Sequence, residues 1–226
     1  DTTDTGSDSQ DVGTSACSGG TFTAAAITGG KNHFCAARAN GSIYCWGENN
    51  DGQSDPDQPG GDLDTPRLLF GTNLQRSSLS MAAGAHHTCA SSANSTFCWG
   101  TNGNHQLGGT TTNTPFPGTT KVDSNADPFS RLSAYGDLTC GINNPDAYCW
   151  GTYHSQSIPT PTLELGSNGF QQYKAVGVGG DYICGLTLAG DIQCKGGCGN
   201  NQCGASCSGT CLGFSHSVSH PTGGSW

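Results

Sequence analysis

The sequence predicts an all-β fold of short antiparallel strands held by disulfides, and three observations predict it. Glycine supplies 36 of 226 residues while charged residues make up only 11%. With abundant Ser, Thr and Asn, that is the composition of many tight turns between short strands, not of long helices. Thirteen cysteines recur at regular spacing, a density that an oxidising compartment permits and a reducing cytosol disfavours. The chain also repeats itself, and self-similarity of this kind sets the architecture before any local reading does.

Four segments align. His33-Phe34-Cys35-Ala36 leads to Ser42-Ile43-Tyr44-Cys45-Trp46-Gly47, and His87-Thr88-Cys89-Ala90 leads to Thr96-Phe97-Cys98-Trp99-Gly100. Leu138-Thr139-Cys140-Gly141 leads to Ala147-Tyr148-Cys149-Trp150-Gly151, and Tyr182-Ile183-Cys184-Gly185 leads to Asp191-Ile192-Gln193-Cys194-Lys195-Gly196. The first cysteines of successive repeats stand 54, 51 and 44 residues apart by their numbers. A period near 50 with short strands is that of a β-propeller.

Within each repeat the two cysteines read as facing positions of a β-hairpin. Cys35 and Cys45 face if Ala39-Asn40-Gly41 is a three-residue loop with Gly41 left-handed. Cys184 and Cys194 ask for the same geometry, with Gly190 at the matching place. Cys89–Cys98 and Cys140–Cys149 are one residue closer, and Ser92-Ala93-Asn94-Ser95 and Asn143-Asn144-Pro145-Asp146 supply four-residue loops of suitable turn chemistry. Facing strand positions lie within disulfide reach, so four hairpin disulfides are expected. Structural zinc would show C-x2-C knuckles, and the sequence contains none.

Upstream of each hairpin lies an apolar segment: Phe22 to Ile27, Leu79 to Ala83, Phe129 to Ala134 and Phe170 to Val178. Glycine precedes each hairpin, at Gly30, Gly84, Gly136 and Gly180. Downstream, Pro66 to Phe70, Lys121-Val122 and Pro161 to Leu165 read as outer strands, where Pro is tolerated. Each repeat therefore offers about four antiparallel strands, one blade of a propeller.

These motifs resemble the extracellular, cysteine-containing version of the regulator of chromosome condensation type repeat, with its pattern H-x-C-A followed by C-W-G-x-N-x-x-G-Q-L-G. Cys45-Trp46-Gly47-Glu48-Asn49-Asn50-Asp51-Gly52-Gln53 matches it, as does the run from Cys98 through Trp99, Asn102 and Gln106 to Gly108. The third repeat departs after Trp150-Gly151. The fourth carries Lys195 for Trp, and Cys198 and Cys203 where the second has Asn102 and Leu107. The resemblance covers residues 20 to 204 and implies a β-propeller fold. The family closes a seven-bladed ring, whereas four blades are recognisable here. Either four blades close a smaller ring or the chain is an arc; a compact set with covered ends is the expectation, since an open terminal blade exposes strand edges and apolar surface.

The ends differ in kind. Residues 1–16 form an acidic, polar leader with little to bury, expected to be flexible, and the chain reads as a mature product or an excised segment. The repeat domain spans 17–204, and 205–226 form a Cys/Gly/Ser-rich tail expected to fold over the last blade. After four hairpin pairs, Cys17, Cys198, Cys203, Cys207 and Cys211 remain. Cys198 and Cys203 could bridge locally, and Cys17 could tie the first blade to the last through Cys207 or Cys211. One cysteine stays over as a free thiol or an intermolecular link.

No catalytic constellation emerges. There is no G-x-S-x-G elbow. His33 and His87, locked to the repeat, read as satisfying backbone groups in turns. His86 and His87 point to opposite sides of a strand, and Pro221 disfavours a helical His216/His220 pair. Asp51, Asp55, Asp57, Asp62 and Asp64 lack the framing of a calcium loop and read as solvated. Trp46, Trp99 and Trp150 read as core aromatics, with sugar stacking the alternative. Asn40-Gly41-Ser42 and Asn94-Ser95-Thr96 fit the N-glycosylation pattern at Asn40 and Asn94.

A net charge of −9 argues against nucleic-acid or anionic-membrane partners, and no apolar run approaches the ~20 residues of a membrane span. The expected function is that of a secreted, non-enzymatic scaffold without cofactors, a building block of an extracellular surface or fibrous assembly, self-associating or bound to another extracellular protein or to glycans. The alternative is a recognition module, a receptor ectodomain or protein inhibitor working through its loops. Nucleotide exchange on a small GTPase, which the family name invites, needs a reducing compartment that the cysteines contradict.

Overall fold

The computed structural model describes residues 23–70, 79–110, 116–122, 128–153, 155–165, 172–180, 182–197 and 210–218. The leader, Cys17, Cys198, Cys203, Cys207 and His220 lie outside the described residues, as do the side chains of Cys211 and His216.

Among the described residues every regular element is a strand. The first sheet is β1 (Ala26–Gly29), β2 (His33–Ala37), β3 (Ile43–Gly47) and β4 (Leu63–Phe70). The second is β5 (Ser80–Ala83), β6 (His87–Ser91), β7 (Thr96–Gly100) and β8 (Phe116–Lys121). The third is β9 (Ser130–Tyr135), β10 (Leu138–Asn143), β11 (Asp146–Tyr153) and β12 (Gln156–Leu165). The fourth is β13 (Tyr173–Val178), β14 (Tyr182–Thr187), β15 (Ile192–Gly197) and β16 (Thr210–Val218). Each is a four-stranded antiparallel meander in chain order, a propeller blade. β16 falls within residues 205–226, so the stretch read as a tail carries the outer strand of the fourth blade.

Local chemistry dictates the hairpins. Gly41 (φ 90°) and Gly190 (φ 97°) take the left-handed conformation that lets three-residue loops close β2–β3 and β14–β15. The middle two loops are tighter than their four-residue reading. Ser92 N–H donates to Ser95 O across a two-residue turn, and Asn143 pairs Asp146 around a cis Asn144–Pro145 bond. All four disulfides, Cys35–Cys45, Cys89–Cys98, Cys140–Cys149 and Cys184–Cys194, join cross-strand partners whose Cα atoms are 4.1 Å apart.

The blades stack through their inner strands, β1 against β5, β5 against β9 and β9 against β13. Among the described residues no comparable contact returns from β13 to β1. Among the described residues the four blades therefore form an open arc rather than a smaller closed ring; the leader and most of the tail, on which the expectation of covered ends falls, lie outside the described residues. The core lies between blades. Cys35, Ile43 and Cys45 of the first meet Ala90 and Trp99 of the second. Cys89, Cys98 and Leu107 meet Phe129 and Trp150 of the third. Cys140, Cys149 and Tyr153 meet Tyr173 and Ile183 of the fourth. Each of the first three disulfides thus lies on its blade's outgoing face, under the next blade.

Candidate functional site

A single polar device is built twice at the blade junctions. Trp99 Nε1 donates to Gln53 O of the preceding blade (3.0 Å) and Trp150 Nε1 to Gln106 O (3.1 Å). His33 Nε2 lies 2.7 Å from Thr88 Oγ1, and His87 Nε2 lies 2.6 Å from Thr139 Oγ1. Thr88 spends its one proton on Gln53 O (3.2 Å), so it accepts from His33 Nε2–H, which sets the tautomer of the ring. Both His–Thr pairs and both indoles are fully buried. Burial holds the His33 ring down at about 4 and the His87 ring at about 3, with nearby histidines adding to the effect. Both rings are neutral and structural, with His33 the donor in its pair, and their partners are threonines of the next blade rather than the turn backbone expected from sequence. Each ring lies over a glycine, Gly30 or Gly84, where a Cβ would strike it.

The loops that receive the indoles are organised by their own side chains. Asn49 Oδ1 accepts from the amides of Ser54 (3.1 Å) and Asp55 (2.6 Å), and Asn102 Oδ1 from Leu107 (3.0 Å). Gln53 Oε1 and Gln106 Oε1 accept from Asp51 N and Asn104 N. The aspartates expected to be solvated are not all so. Asp55 is buried and pairs with Arg67 at 2.8 Å, and Asp51 lies 3.3 Å from His86. Among the described residues no group of three or more His, Cys, Asp or Glu could hold a metal.

At each junction residue the outer strand slips register: between Cys45 and Gly47, Cys98 and Gly100, Cys149 and Gly151, Cys194 and Gly196. Such a slip re-aims the residue that it contains, here Trp46, Trp99, Trp150 and Lys195. The slips escape a periodicity reading; the Cys-Trp-Gly triplet was their only trace in the sequence.

The third junction uses other chemistry. Lys195 Nζ reaches Glu164 Oε2 of the preceding blade at 2.5 Å, and Tyr153 Oη–H donates to Lys195 O (3.0 Å). In place of a His–Thr pair, Leu138 and Ile183 share one apolar cluster.

The incoming face of the first blade departs from the rest. Trp46, read as core, is only part-buried because no described blade stands before it. It stacks on Phe34 with ring centroids 5.8 Å apart, and Phe34 is 48% exposed. The cross-strand row Ile27, Ala36, Tyr44 and Leu68 lies on the same face, and Ile27 is 67% exposed and Leu68 46%. In the second blade the matching row runs Met81, Ala90, Phe97 and Lys121, and its first three residues pack against the first blade. Phe34, Trp46, Ile27 and Leu68 thus form a blade-docking face without a described blade on it. At the other end of the arc Cys184 is part-exposed, whereas the six cysteines of the first three blades are fully buried.

Elsewhere, a cavity of about 390 Å³ opens at the hairpin-tip end, lined by Ser80, Arg131, Asn144, Tyr173, Lys174 and Leu188. Asn40 and Asn94 sit on hairpin tips at this end.

Residues 24–53 match the Regulator of chromosome condensation (RCC1) repeat. No curated protein sequence matches the chain. Human WBSCR16 superposes with a TM-score of 0.75 at 18% identity, over 88% of this chain and 53% of that one. Yeast RCC1 (Prp20) bound to Kap60 gives 0.70 at 17% identity, over 90% and 51%. Prp20p from Saccharomyces cerevisiae in a second structure gives 0.70 at 17%, over 89% and 52%. The chain spans about half the length of these solved structures, and identities at this level carry the fold alone. The chain thus carries a regulator of chromosome condensation repeat at residues 24–53 and shares the stacked-blade β-propeller fold of these structures, here as an arc of described blades with disulfide-stapled hairpins.

Proposed function

We propose that the chain is a secreted, non-enzymatic scaffold that works by assembly, its first blade offering the docking face. One observation carries this reading: Phe34 and Trp46 are part-exposed at the positions where Thr88, Thr139, Trp99 and Trp150 are fully buried under a preceding blade. A contiguous apolar face of this kind marks an interaction site. Four hairpin disulfides indicate an oxidising compartment, which favours an extracellular setting. The similar yeast protein Prp20 is described with Kap60, with Gsp1p and with histones as partners, in keeping with protein binding as the general use of the fold. The test is gentle extraction from the native surroundings followed by native mass analysis. Recovery as a homopolymer of this chain is expected; recovery solely as a monomer overturns the reading.

A second reading, the recognition module, is favoured by the cavity at the hairpin-tip end. Arg131, held at φ 52°, and Lys174 set two cations at its rim in a chain of net charge −9, which suits an acidic protein or glycan. Glycans on Asn40 and Asn94 would border the same end. A discrete foreign partner in the native extract would support this reading instead.

A further inference from the structure

The described junctions follow a rule of complement. Where a blade carries His33 or His87, the next answers with Thr88 or Thr139. Where it carries Leu138, the next answers with Ile183 in the same apolar cluster. Polar meets polar, and apolar meets apolar. The fourth blade carries Tyr182 at this position. Gly179 N–H donates to Tyr182 O (2.8 Å), as Gly30 and Gly84 do to His33 and His87. The Tyr182 ring likewise lies where a Cβ on Gly179 would strike it. A blade seated on Tyr182 would by the same rule answer with an apolar or aromatic residue. Of the described blades, the first alone has this position unmatched, and it carries Phe34, 48% exposed.

The sequence of the loops agrees. A Gln stands seven residues after the junction residue in repeats whose successor brings a Trp: Gln53 after Trp46, Gln106 after Trp99. The third repeat has Ser157 there, and its successor brings Lys195 instead of Trp. The fourth repeat regains the Gln, as Gln202, which lies outside the described residues. Trp46 is the Trp that follows no described blade, and part-exposed Cys184 marks the outgoing face of the fourth.

We propose that the outgoing face of the fourth blade, around Tyr182 and Cys184–Cys194, seats the first-blade face of a second copy of this chain, around Phe34 and Trp46. The two faces lie at opposite ends of one arc, so the contact forms between copies. It is heterologous, and it propagates head to tail unless the rotation closes a ring. The inference rests on the assembly reading and names its partner and register.

Sedimentation of the full chain over a concentration series tests it, with disulfides intact and free thiols alkylated so that no covalent link contributes. Average mass is expected to rise with concentration, and Phe34→Lys or Tyr182→Glu alone to return it to that of the monomer. Mixing the two variants should restore association, since each retains one native face and the altered faces carry opposite charge. Thermal melts separate lost docking from lost folding. A wild-type chain that stays monomeric throughout overturns this interface, while native extraction tests assembly by other routes. Association that survives Phe34→Lys in a folded variant also overturns it and leaves the assembly reading standing.

Discussion

The same residue type does different work at equivalent positions, according to whether a blade lies over it. Trp99 and Trp150 fill junctions and place their N–H groups on backbone carbonyls, whereas Trp46 lies part-exposed on Phe34. Trp99→Ala is expected to lower stability by ~3–5 kcal/mol, as for a buried aromatic, and Trp46→Ala by about 1 kcal/mol or less; urea melts of the two variants make the comparison. The buried histidines predict a pH dependence. With folded-state values near 4 and 3 against about 6.5 in the unfolded chain, the unfolded state binds more protons between those limits. The contribution of neutral His33 and His87 is therefore complete above about pH 6.5 and is lost as pH falls through that window. Melting temperatures from pH 7 down to 4.5 should drop in the wild type and flatten in the double variant His33→Gln, His87→Gln. These histidines were legible as repeat-locked positions, but not their threonine partners, because contacts across 55 and 52 residues leave no local pattern.

Hairpins were the most legible elements, since cysteine spacing and turn chemistry point to one register. Cys35 faces Cys45 around Gly41, and Cys184 faces Cys194 around Gly190. The outer strands were less so. Lys121-Val122 is the trace of β8, whose residues 116–121 include Pro117 and Gly118, and β16 reads as tail in the sequence because Gly and Ser dilute its apolar signal. Each disulfide closes a short loop, so replacing Cys89 and Cys98 together by Ala should lower stability by ~2–3 kcal/mol, read by denaturant melts. Non-reducing peptide mapping is expected to link cysteines within repeats, and links between repeats would contradict the blade assignment. Gly84 joins element to junction, because a Cβ there would strike the His87 ring and lie 2.5 Å from Gly136 O. Gly84→Ala is expected to lower the melting temperature more than Gly177→Ala, where the added Cβ meets nothing nearer than Cys184 O at 4.0 Å.

For the whole molecule, the repeat count was legible and ring closure was not, because closure depends on the small rotation between blades. Among the described residues the last blade does not stack on the first as successive blades stack on each other. Three junctions are filled, the first blade presents Ile27, Phe34 and Leu68 to solvent, and the last leaves Cys184 part-exposed. Open ends of complementary chemistry are the central claim, and hydroxyl-radical footprinting with mass spectrometry tests it most directly. In dilute solution Phe34, Trp46 and Leu68 should label readily and Trp99 and Trp150 hardly at all; at high concentration Phe34 and Trp46 should become protected. Protection of Phe34 and Trp46 equal to that of Trp99 in dilute monomer, or labelling of them that is indifferent to concentration, would contradict the account.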